Sequence, residues 1–143
     1  AINLCEIKTN KAGVVVKFEA TRVPQILANE IEIEQVLVNL ISNSVDAIKN
    51  LEHKWIEISL FERNQSCVLQ IKDSGKGIPN EIADKLFQPF FTTKQVGEGT
   101  GLGLPIVKGI LDEHGAEISL LKAEKHTCFE IVFPYTEALR QAA

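Results

Sequence analysis

The chain has 143 residues, with fifteen basic and nineteen acidic side chains, a net charge of -4, 45% apolar and 24% charged residues. That length predicts one domain, able to bury roughly two-thirds of its unfolded surface without a disulfide or metal staple. The composition excludes disorder, collagen and coiled coil, and the acidic balance excludes the basic footprint of a nucleic-acid binder.

In chain order, residues 2–7 and 14–19 read as short strands, with Thr9, Asn10 and Gly13 in a hairpin turn between them. Because the chain opens inside a strand-like run, it is expected to be a piece of something longer. Asn29 is a helix N-cap candidate. From Ile33 the apolar residues Val36, Leu37, Leu40, Ile41, Val45 and Ile48 recur at spacings of three and four, the period of an amphipathic helix. Ile56, Ile58 and Leu60 alternate with Glu57 and Ser59, and Cys67, Leu69 and Ile71 with Val68 and Gln70, which predicts two strands. A turn over 73–79 precedes a short helix near 81–86. A glycine- and threonine-rich loop over 92–103 leads into a helix at 105–114, where Pro105 suits the first turn because its missing N–H is no loss there. Residues 117–121 and 127–133 form a closing hairpin, and the tail 135–143 has weak helical character. The expected fold class is therefore α/β: a two-layer sandwich with a mixed, mostly antiparallel sheet packed on about three helices. One domain covers 1–143, with its core at about 14–134.

Cys5, Cys67 and Cys128 are scattered, form no CxxC pair and sit in strand-like runs, where a buried apolar thiol is expected. Their odd number points to a reducing compartment. No apolar stretch approaches the ~20 residues that span a bilayer, and no signal peptide opens the chain, so a cytoplasmic location is expected.

Four polar features stand out. On the long helix, Gln35, Asn39, Asn43 and Asp46 share one face, opposite Leu40 and Val45. A solvated face normally favours Lys and Glu, which are better helix formers than Asn. Amide oxygens on one face also suit a hard cation such as Mg²⁺, which takes few protein ligands. Asp73 ends a strand and enters Asp73-Ser74-Gly75-Lys76-Gly77-Ile78-Pro79. This is either an Asx-turn or an acceptor for an exocyclic amine, with glycines making room for a flat ring. Gly97-Glu98-Gly99-Thr100-Gly101-Leu102-Gly103-Leu104-Pro105 is either a flexible linker or a nest of free N–H groups for phosphate at a helix start. It fits neither the P-loop nor the dinucleotide fingerprint. In Phe87-Gln88-Pro89-Phe90-Phe91-Thr92-Thr93-Lys94 the phenylalanines would anchor the loop, placing Lys94 near a phosphate unless it is simply solvated.

In this order, the four segments resemble the catalytic ATP-binding domain of sensor histidine kinases, part of the superfamily shared with gyrase, the Hsp90 chaperones and the MutL ATPases. Residues 34–47 are similar to the N box, 73–79 to the G1 box, 87–94 to the F box and 99–104 to the G2 box. The resemblance implies that Asn43 holds Mg²⁺, with Asn39 as second ligand or phosphate contact. Asp73 would accept the adenine amino group, and Gly75, Gly77 and Ile78 would line the base pocket. Gly99, Thr100, Gly101, Leu102, Gly103 and Leu104 would meet the phosphates, with Lys94 as a cationic contact, Thr127 as a water-mediated base contact and residues 88–100 as a lid. Three departures are evident: His114-Gly115-Ala116 in place of a glycine pair after the histidine, His126-Thr127-Cys128-Phe129 in place of Gly-Thr-Thr-Phe, and Asp46 where many relatives carry Lys.

ATP-hydrolysing relatives resemble one another in placing a Glu four residues before the magnesium Asn, whereas this chain has Asn39, an amide that takes no proton at pH 7. Transfer to a protein histidine within a two-component pathway is therefore the expected reaction, not hydrolysis. None of His53, His114 and His126 heads a helical hairpin. The phosphoacceptor and dimerisation domain is expected elsewhere in the parent protein, which the family also allows to be anchored in the inner membrane. The isolated domain is then a monomer, with the acceptor domain and a response regulator as partners and ATP and Mg²⁺ as cofactors. The alternatives are a stand-alone serine kinase of the anti-sigma-factor type and a non-catalytic ATP-binding module.

Overall fold

A computed structural model describes residues 13–21, 28–83, 85–88, 103–122 and 125–134. Its elements are β1 (Val15–Ala20), α1 (Glu30–Ile48), β2 (Trp55–Arg63), β3 (Ser66–Asp73), α2 (Asn80–Ala83), α3 (Gly103–Glu113), β4 (Glu117–Leu120) and β5 (Cys128–Phe133). The strands form one sheet in the order β1-β2-β3-β5-β4. β1 runs parallel to β2, and every other pairing is antiparallel. This is the expected mixed sheet on one helical layer. The partner foreseen for β1, residues 2–7, lies outside the described residues, as does Cys5.

Asn29 caps α1 as its side-chain oxygen accepts the Glu32 N–H at 3.1 Å. The apolar stripe of α1 then buries Val36, Leu40, Ile41, Val45 and Ile48. These pack with Val107 and Leu111 of α3 onto the sheet face formed by Ile56, Ile58, Cys67, Leu69, Ile71, Phe129, Ile131 and Phe133. Gly115, at φ +66, ends the α3 region in the left-handed conformation that an L side chain resists. Ala116 beside it is buried, so a methyl fits at the position where the family resemblance implies a second glycine. Asn64 and Gln65 both take positive φ, 53° and 67°, and join β2 to β3 by a two-residue turn. Both positive values are the mark of a type I′ turn, whose twist matches that of the strands. The short helix is smaller than the sequence implies: it ends at Ala83, and Lys85 and Gln88 N–H groups donate to Ile82 and Lys85 carbonyls, three residues back.

On the sheet face turned away from the helices, Gln70 and Glu130 are register partners. Glu130, nearly buried, accepts from Gln70 Nε2 at 2.7 Å and pairs with Arg63 through both guanidinium terminal nitrogens. This row ties together β2, β3 and β5, whose ends carry the candidate site. Arg63 holds the Glu130 carboxyl below its ordinary value near 4.5. The pair therefore contributes stability above that value and loses it as pH falls through the lowered one. Arg63→Leu should lower the urea midpoint at pH 7, with the gap from the parent chain closing on acidification below about pH 4.5, where the unfolded-state carboxylate protonates.

Candidate functional site

Alternation along β3 puts Cys67, Leu69, Ile71 and Asp73 on the helix-facing side. A carboxylate thus ends an otherwise apolar row, and it is only 2% exposed. Its Oδ1 accepts the Gly75 N–H at 2.8 Å, which is the Asx-turn. Ser44, 3% exposed on the apolar stripe of α1, donates its hydroxyl to the same carboxylate. A carboxylate offers about four acceptor positions, so capacity for an amine donor is left beside these two. The turn and acceptor readings of Asp73 are therefore compatible. Desolvation raises the Asp73 carboxyl above its ordinary value near 3.8, while Gly75, Ser44 and His126 pull it back.

The glycine turn is constrained by this carboxylate. A Cβ on Gly75 would sit 2.7 Å from Asp73 Oδ1 and 3.1 Å from Thr127 Oγ1, so no other residue fits without displacement. Gly77 has φ +88, a conformation natural to glycine alone. Thr127, buried, faces Gly75, and its carbonyl accepts the Asp73 N–H at 3.0 Å. Beside them an open cleft of about 400 Å³ runs between the 76–79 turn and the end of β4, with Ile78, His126 and Thr127 on its walls.

Asn39 and Asn43 lie one turn apart on the same face of α1, both partly exposed. Gly103, the first residue of α3, packs against Asn43: a Cβ there would lie 3.8 Å from Nδ2 and 4.0 Å from Oδ1. The first residue of α3, at the positive end of the helix dipole, therefore packs beside an amide, and a helix start of this kind favours anionic oxygen. Leu104, also in the first turn of α3, packs against the core. Of the expected loop anchors, Phe87 packs on the core. Lys94, Gly99, Thr100, Gly101, Leu102, Phe90 and Phe91, with most of the proposed lid, lie outside the described residues.

Two contributors escaped the sequence reading. Ser44 was legible only as a hydroxyl at a position where the helical period calls for an apolar side chain. His126 had no signal beyond its departure from the family pattern. Of the cysteines, Cys67 and Cys128 are buried, and burial pushes the Cys67 thiol up, away from reactivity.

The family model described as "histidine kinase-, DNA gyrase B-, and HSP90-like ATPase" matches residues 28–137. The sensor histidine kinase ZraS of Escherichia coli K12 is 35% identical over 136 residues, covering 94% of this chain but 28% of its own length. The chain thus spans little more than a quarter of that relative. The catalytic domain of histidine kinase ThkA superposes with a TM-score of 0.80 at 35% identity, covering 96% of this chain and 89% of that one. ThkA in complex with the response regulator TrrA gives 0.73 at 30% identity, over 93% of this chain and 37% of that one.

The raised Asp73 value has a direct consequence for stability. Its contribution to stability is full below the ordinary value near 3.8 and is lost as pH rises through the raised one. Asp73→Asn removes that penalty while keeping an oxygen for Gly75. Without ligand, the variant should melt higher than the parent at pH 7, and the two curves should converge below about pH 4.

Proposed function

The chain belongs to the histidine kinase-, DNA gyrase B- and HSP90-like ATPase family, and from that premise we propose that it binds Mg-ATP and delivers the γ-phosphoryl group to a histidine on a separate helical domain. The observation that carries the reading is the buried Asp73 carboxylate at a double-glycine turn, partnered by Ser44. Ser44 is the chain neighbour of Asn43, which meets the N-terminus of α3. An amine-reading end and an anion-favouring end are thereby joined through consecutive residues of one helix. Asp73 takes the exocyclic amine of adenine, and a purine with a carbonyl at that position is refused because two acceptors would face each other.

Asn43 offers a neutral amide oxygen, and Mg²⁺ usually takes only one or two protein ligands beside phosphates and waters, so the donor set fits. Asn43 would hold the ion with Asn39 as second ligand or phosphate contact, and the ion would neutralise phosphate charge. Gly103 and Leu104 offer backbone N–H groups at the helix start, and Gly99, Thr100, Gly101, Leu102 and Lys94 extend that cradle in this reading. Asn39 cannot act as a base for water. The domain therefore positions and stabilises the phosphates, while the nucleophile comes from an acceptor domain. By analogy with ThkA and TrrA, a response regulator receives the phosphoryl group next. Among the described residues no helix is long and apolar enough to cross a membrane.

Calorimetric titration should show Mg-dependent binding of a non-hydrolysable ATP analogue and much weaker binding of the GTP analogue. Asp73→Asn should weaken ATP binding roughly ten- to hundredfold, the worth of a charge-assisted hydrogen bond of about 1.5–3 kcal/mol. Asn43→Ala should abolish the magnesium dependence with little change in the ligand-free melting temperature. Equal affinity for both purines would remove Asp73 from its role.

With labelled ATP the chain alone should give neither phosphoprotein nor brisk phosphate release. Adding the parent protein's helical hairpin should yield acid-labile, base-stable phosphorylation. Acid-stable phosphoserine would instead select a serine kinase, and rapid hydrolysis by the lone chain would place it among the ATPases.

A further inference from the structure

His126 Nδ1 lies 3.0 Å from the Gly75 carbonyl oxygen. A carbonyl only accepts, so Nδ1 carries a proton and donates it there, whether the ring is neutral or charged. The imidazole is in turn held edge-on by Trp55, with ring centroids 4.9 Å apart and planes at 81°. Trp55 is bonded to the same turn: its N–H donates to Ser74 Oγ at 3.2 Å, and the Ser74 N–H donates to the Trp55 carbonyl at 3.0 Å. The Asp73 N–H is fixed separately by Thr127. These backbone bonds hold the turn up to Ser74. Beyond it, the Gly75 carbonyl belongs to the Gly75–Lys76 peptide, which no backbone bond among the described residues of the turn holds and whose glycine side restricts rotation little. The imidazole bond to the Gly75 carbonyl removes that freedom, and a glycine at position 126 could not make it.

We propose that His126 is a positioning residue of the base pocket: by holding the Gly75 carbonyl it fixes the peptide plane whose neighbouring N–H orients the Asp73 carboxylate. It acts through Gly75, from a place on the wall of the same cleft. The proposal rests on the nucleotide reading above and adds to it a residue that sets purine selectivity.

The test uses the whole chain in four forms: parent, His126→Ala, His126→Asn and Asp73→Asn. Asparagine can place an amide donor close to the position of Nδ1, whereas alanine has none. Titration with ATP and GTP analogues should show ATP affinity falling about tenfold in His126→Ala, the scale of one part-buried hydrogen bond. The ATP-to-GTP preference should shrink in parallel, and His126→Asn should restore both to within a few-fold of the parent. Nitrogen NMR of the ligand-free parent should find the neutral imidazole protonated on Nδ1. Unchanged selectivity in His126→Ala, no recovery in His126→Asn, or a neutral ring protonated on Nε2 would each overturn the proposal. If Asp73→Asn loses affinity while His126→Ala does not, only the role of His126 falls. If the parent binds neither purine, the nucleotide reading falls and the proposal with it. Should His126→Ala fail to fold, the asparagine variant and the tautomer measurement still decide.

Discussion

Burying a carboxylate at the joint between a helix and a sheet is unfavourable unless its neighbours compensate, and Asp73 is almost wholly withdrawn from water. Much of the local sequence answers to that one charge. Ser44 interrupts the apolar stripe of α1 to donate a proton to it. Gly75 must lack a side chain so that its N–H can approach, because a Cβ would collide with the carboxylate it serves. Thr127 pins the Asp73 backbone from β5's side, and His126 holds the far side of the glycine turn. The charge remains costly, because desolvation outweighs these partners and holds the carboxyl above its ordinary value. An incoming amine donor would supply what the apolar surroundings withhold, so the penalty at rest becomes selectivity on binding.

Much of this was legible because the elements with strong periods are the ones that build the core. The spacing of Val36, Leu40, Ile41, Val45 and Ile48 set α1, and Asn29 marked its start. The inward parity of Cys67, Leu69 and Ile71 extends without a break to Asp73. Two departures from pattern, a serine on an apolar stripe and an aspartate on an apolar row, point at each other across the layers. Neither is decisive alone, since a serine in a helix or an aspartate at a turn has ordinary explanations. Their meeting is a tertiary fact, which a linear reading cannot provide.

Other features had no linear signal. β1 pairs in parallel with β2 across the whole of α1, and nothing in its six exposed residues announces which strand it will join. The helix after Pro79 is short because its hydrogen bonds shift to three-residue spacing after Ala83. Propensity, being an average over neighbours, does not resolve a change of that size. Asn43 and Gly103 are sixty residues apart in sequence, and only the packing of α3 on α1 brings the amide to the helix start.

The turn at Asn64–Gln65 does more than reverse the chain. Side chains on paired strands alternate with a strict period of two, so the number of residues in that turn decides which members of β3 look inward. Counting from the Arg63–Ser66 pair, Asp73 faces Ile56 at the far end of the ladder, on the buried side. A slip of one position would carry it to the opposite face, and would bring Gln70 and Lys72 into the interior instead. Whether an aspartate becomes the floor of a pocket or a surface charge is thus settled by arithmetic at a loop some twenty-five ångströms of strand away, at about 3.3 Å per residue. That loop meets no ligand in any reading of the site, yet its length is as much a part of the recognition chemistry as the carboxylate.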